Sequence, residues 1–137
     1  MATYKFRVLL DNSENEEIFR DIEVSDRHSF EDFYKSIIKA FYFEGDQMAS
    51  FYCSNDDWDK GEEIALFDMS DDTSETFIHL MSQSVIKNFI TSENQRFILV
   101  YDFLKMWCFL IELVEITPDS IDAPTVLLAI GIPPSEN

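Results

Sequence analysis

The first patterned stretch of the chain alternates, with Tyr4, Phe6, Val8 and Leu10 taking turns with Lys5 and Arg7. After a polar stretch at residues 11–16, a second run carries Ile18, Ile22 and Val24 on one face. Side chains two apart share a face of an extended strand, so the two runs predict a β-hairpin with a longish loop. Ser29 then precedes Phe30, Phe33, Tyr34, Ile37, Ile38 and Phe41, whose spacings of three and four gather them into one stripe. That spacing predicts an amphipathic helix over residues 30–41. Ser29 is its expected N-cap, and Glu31 and Asp32 suit the positive end of the helix dipole. Lys35 and Lys39 lie toward the other end, where Gly45 is expected to close the helix.

Residues 50–54 read as a short strand, residues 55–61 as a polar bend, and residues 64–67 as the partner strand of a second hairpin. The acidic, Ser/Thr-rich stretch at 68–75 is expected to be an exposed loop. Residues 77–81 fit a strand or a helical turn. Val85, Ile86, Phe89 and Ile90 fit a short second helix, capped by Ser82 or Ser84. Residues 97–103 and 106–116 are the longest apolar strand patterns, rich in β-branched and aromatic side chains and joined tightly, so they are expected at the centre of the sheet. Pro118 and Pro124 break the pattern, residues 125–130 form a last short element, and Pro133 and Pro134 begin a tail. The expected architecture is one α+β domain over residues 1–137. A mainly antiparallel sheet of hairpins packs against one amphipathic helix, with a short second helix.

Composition narrows the function classes. With 27 acidic against 10 basic side chains the formal charge is −17. Nucleic acids and anionic membranes are bound by neutralising phosphates with Lys and Arg, so this sign speaks against both as natural partners, with mimicry of nucleic acid toward a basic protein the minor alternative. A protein with a basic surface is the partner the charge favours. No apolar run reaches membrane-spanning length and the first ten residues lack a signal-peptide pattern, so a cytoplasmic location is expected. Cys53 and Cys108 fall in apolar strand segments without Cys-x-x-Cys spacing and are expected to be buried free thiols.

Few constellations carry chemistry. Three glycines in 137 residues leave no phosphate-cradling loop, and His28 and His79 lack metal-ligand spacing, so no cofactor or metal is expected. Both histidines read as surface or boundary residues. In residues 56–63, setting Gly61 at the sixth position of a calcium loop puts Trp58 and Lys60 where carboxylates are needed. A hairpin bend with solvated acids outweighs a weak cation site there. Asp102, at the end of an apolar strand, is the one carboxylate that stands out; capping of neighbouring amides outweighs a place in a cleft. Trp107 shares strand parity with Phe109, Ile111 and Leu113 and is expected in the core. Trp58, in the polar bend, is the expected aromatic anchor of any recognition surface.

The segment Tyr101-Asp102-Phe103, followed by Trp107, resembles the plasmid pRiA4b ORF-3-like family, whose hallmark is Tyr-Asp-Phe-Gly-Asp-x-Trp between two strands. Three further blocks occur in the order of that family: the opening hairpin with the Ser29 helix, the Phe51-Tyr52 strand running into Trp58-Asp59-Lys60-Gly61 and Glu63-Ile64, and the closing Pro-Pro near Gly131. The chain departs from the pattern at Leu104-Lys105, where the family has Gly-Asp, and at Phe109, where it often has His. The resemblance implies a small α+β domain of a family mostly of unknown function, some of whose members lie in mobile genetic elements, and it supplies no catalytic residues. The expected function is therefore a non-catalytic protein-interaction or binding domain with Trp58, Tyr101 and Asp102 as candidate binding residues. The alternative is a small hydrolase or transferase using an acidic cleft around Asp102.

Overall fold

A computed structural model describes residues 2–12, 16–67, 79–119 and 121–135. Over these residues the fold is α+β, with one α-helix against a mostly antiparallel eight-stranded sheet. The strands are β1 (Thr3–Leu10), β2 (Phe19–Ser25), β3 (Ala49–Ser54), β4 (Glu63–Ala65), β5 (His79–Leu80), β6 (Arg96–Tyr101), β7 (Trp107–Thr117) and β8 (Thr125–Ile130), and the helix is α1 (Phe30–Ala40). Their order across the sheet is β5-β4-β3-β6-β7-β1-β2-β8, so β6 and β7 hold the two middle places. Among the described strands only β4 and β5 pair in parallel.

The alternation in β1 sorts side chains by face, whereas β2 is buried at six of its seven positions. Tyr4, Phe6, Val8 and Leu10 are buried, and Phe6 stands opposite Ile22 in the pairing. α1 begins at a reciprocal capping box: Ser29 Oγ accepts from the Asp32 amide at 3.1 Å, and Asp32 Oδ2 accepts from the Ser29 amide at 3.1 Å. Two otherwise unpaired donors of the first turn are satisfied this way. The buried stripe of Phe30, Phe33, Tyr34, Ile37 and Ile38 faces the sheet. There Phe33 sits 4.8 Å from Phe6 and 5.6 Å from Phe51, ring centre to ring centre.

Three expectations are corrected. α1 ends at Ala40 and not at Phe41, and Gly45 does not close it: Phe41 is the C-cap and Tyr42 takes a left-handed φ of 61°. Gly45 lies farther on, where its amide donates to the Tyr101 hydroxyl at 3.0 Å. Where a second helix is expected, the chain forms 3-10 turns at Met81–Gln83 and Ile86–Phe89. Val85 and Ile90 flank the second turn in extended conformation, and four residues are too few to repay helix nucleation. The loop expected at 68–75 lies outside the described residues, as does part of the segment at 77–81, whose described end forms β5 and the start of a 3-10 turn. No helix among the described residues is long and apolar enough to cross a membrane.

Candidate functional site

The turn between β6 and β7 carries Tyr101, Asp102 and Trp107, and its geometry assigns each a place. Tyr101 is fully buried and its hydroxyl accepts from the amides of Gly45 and Asp46 at 3.0 and 3.2 Å. It ties the chain after α1 to the end of β6. Asp102 is 6% exposed and adopts a φ of 62°, a left-handed conformation that Asp tolerates better than most residues. Its Oδ1 accepts from the amides of Leu104 and Lys105 at 3.1 and 3.3 Å, and its carbonyl accepts from the Met106 amide. The carboxylate is thus spent on the turn, the capping role, and it does not line a described cleft. Tyr101 and Asp102, named as candidate binding residues, are both buried and hold the turn through backbone amides.

Trp58 stands apart. It lies in the β3–β4 bend, where Asn55 Oδ1 accepts from the amides of Asp57 and Asp59 at 3.0 and 3.1 Å. The Arg96 guanidinium covers its ring at 4.5 Å, so that face already has an occupant. Arg96 opens β6 and Tyr101 closes it, which puts the two groups of candidate residues at opposite ends of a strand roughly 17 Å long. The three residues therefore do not form one compact cluster.

The turn does border a cleft, one that single segments of sequence do not reveal. Lys105, Met106 and Trp107 form one wall, Ile132, Pro133 and Pro134 a second, and Asp11, Asn12, Glu16 and Ile18 a third, around about 670 Å³. Gly131 brings the second wall in. At its φ of 82° the chain bends after β8, and a Cβ there would lie 2.5 Å from the Glu17 carbonyl oxygen. Asn12 braces the third wall, its side chain donating to the carbonyls of Leu10 and Glu16 and accepting from the Glu16 amide. Trp107 is half-buried: its ring meets Phe43 edge-on at 5.2 Å, and its indole nitrogen is buried with no hydrogen-bond partner among the described residues. Its expected place in the core is corrected to the core margin, because parity points it inward while its position at the start of β7 leaves one side at the cleft. Leu104 stands 95% exposed at the tip of the turn without a positive φ, so the turn does not require glycine there.

A second cleft of about 530 Å³ gathers Cys53, Glu62 and His79, residue types that elsewhere build a nucleophile and its base. His79 Nε2 lies 2.6 Å from Glu62 Oε1. The Cys53 thiol, however, is pushed up to about 11 by burial and then by the Glu62 charge. A nucleophilic cysteine needs the opposite shift, so this trio stores no thiolate near neutral pH.

The chain is similar in fold to the crystal structure of the protein of unknown function MM3350 from Methanosarcina mazei Go1. The TM-score is 0.77 and the identity 20%, over 93% of this chain and 69% of that one. No curated protein matches the sequence. The sequence model of the plasmid pRiA4b ORF-3-like proteins matches residues 2–137, from the opening hairpin through the Trp107 turn to the closing prolines, and the chain belongs to that family.

Proposed function

We propose that the protein is a non-catalytic interaction domain that takes a basic segment of a partner protein into the cleft between the Trp107 turn and Pro133-Pro134. The observation that carries this reading is convergence: two of the blocks that mark the family, far apart in the chain, form facing walls of one cleft, with Asp11 and Glu16 on a third side. Trp107, Met106, Ile132 and the prolines offer apolar surface, and the acids offer charge to Lys or Arg on the incoming segment. The net charge of −17 steers such a partner inward from a distance. Cytoplasmic residence belongs to the same reading. An acidic hydrolytic cleft at Asp102 draws no support, since its Oδ1 is held by two backbone amides.

The test is a pull-down with the tagged chain from its native lysate, comparing the parent with an Asp11→Asn, Glu16→Gln double variant, followed by titration of the recovered partner. The reading expects a partner held by the parent, released by salt, and weakened about tenfold or more by the double variant. A partner bound equally by both chains places recognition elsewhere, and preferential binding of labelled duplex DNA overturns the charge argument.

A further inference from the structure

The two ends of the sheet are built differently. At one end β5 is two residues long, a short edge of the sort that discourages strand addition. At the other, β8 is six residues long, every one of them exposed, and no further strand lies beyond it among the described residues. Val126, Leu127, Leu128 and Ile130 are 44, 50, 43 and 36% exposed. Natural edges of this length carry lysines, inward charges or bulges that hinder pairing; β8 has one register shift against β2, between Asp21 and Ile22, but no charge. Here residues 123–134 contain no charged side chain, in a chain with 37 charged residues (27 acidic, 10 basic). The edge is also held firmly in place, because Arg20 donates to the Ile130 and Gly131 carbonyls at 2.9 and 3.3 Å.

We propose that β8 is a self-association surface and that its occupant is β8 of a second copy, paired antiparallel across a two-fold axis. The open edge needs an extended backbone, and an antiparallel copy gives back each hydrogen bond that it receives. Electrostatics selects the copy. A basic partner gains nothing from a strand without acids, whereas two chains of charge −17 repel one another least where both are neutral. The apolar side chains on the strand are covered by their own equivalents. This surface is independent of the cleft proposed above, and salt separates the two: screening strengthens contact between like-charged copies and weakens an acid–base complex.

Sedimentation equilibrium of the full chain over a wide concentration range, at low and high salt, tests the proposal. The expected result is a mass rising from 16.0 kDa toward twice that value, with tighter association at high salt. Leu128→Lys and Leu127→Lys, each at an exposed position, should melt like the parent and weaken association about a hundredfold, the scale of placing an unpaired charge in an apolar contact. A chain that stays monomeric at every concentration and salt overturns the proposal. So does an association that both well-folded variants leave unchanged, or one that salt dissolves.

Discussion

Arg20 Nε donates to the carbonyl of Ala40 at 3.1 Å, joining β2 to the last turn of α1. The guanidinium is almost wholly buried and also donates to the carbonyls of Phe19, Ile130 and Gly131, with its Cζ 5.0 Å from the Phe41 ring centre. A fork of fixed donors suits this task, because the last carbonyls of a helix lack partners and form the negative end of its dipole. Arg20→Ala leaves those carbonyls unpaired. It should cost about 2–4 kcal/mol in urea melts and speed amide exchange in β8 more than in β6. Arg20→Lys should recover only part of the loss, since one ammonium cannot reach carbonyls on three segments.

Asp102 separates capping from chemistry. Asn keeps an oxygen acceptor and tolerates the left-handed conformation, so Asp102→Asn should melt within about 0.5 kcal/mol of the parent. Asp102→Ala loses both and should cost about 1–2 kcal/mol. Equal losses in thermal or urea melts would mean that the carboxylate charge, and not the cap, stabilises the turn.

The two tryptophans should rank by packing. Trp107→Ala removes a ring that meets Phe43 at the core margin and should cost about 2–4 kcal/mol. Trp58→Ala removes a bend residue and its contact with Arg96, a loss of about 0.5–1 kcal/mol. Urea melts of both variants check the order, and the reverse ranking would make the β3–β4 bend the better-packed region.

Cys53 predicts an alkaline loss of stability. Its thiol is raised from 9.0 to about 11 by burial first and Glu62 second. Between those values the unfolded chain releases a proton that the folded chain retains. Stability is therefore full below pH 9 and falls as pH rises toward about 11, by roughly 1–2 kcal/mol after allowing for solvent screening. Cys53→Ser should flatten this part of the pH profile, leaving the contribution of Tyr4 and Tyr52, whose phenols burial also raises. The thiol should correspondingly react slowly with an aromatic disulfide in the folded state.

Much of the candidate site was legible one segment at a time. The Asp102 turn and the bend at Trp58 both follow from short-range chemistry: a carboxylate beside free amides, and an Asx residue ahead of a tight bend. The cleft was not legible in this way. Its walls come from residues 11–18, 105–107 and 132–134, and what joins them is the pairing of β1 with β7 and of β2 with β8.

Local spacing sets the main strands, α1 and the buried faces of β1 and α1, because period-two and three-to-four patterns act between neighbours. Tyr4, Phe6, Val8 and Leu10 face inward whatever lies across from them, and Ser29 caps α1 through contacts within one turn. Strand order rests on long-range pairing, and it set Trp58 and Tyr101 at opposite ends of β6. The tertiary structure also decided what a side chain of given polarity does. Asp102 is used up by amides. Arg20 is used up by the carbonyl of its neighbour Phe19 and those of two distant segments, at Ala40 and at Ile130 and Gly131, and among the described residues β8 stands at the open edge of the sheet. Such outcomes depend on hydrogen bonds and burial between residues as much as 111 positions apart, and local spacing carries no record of them.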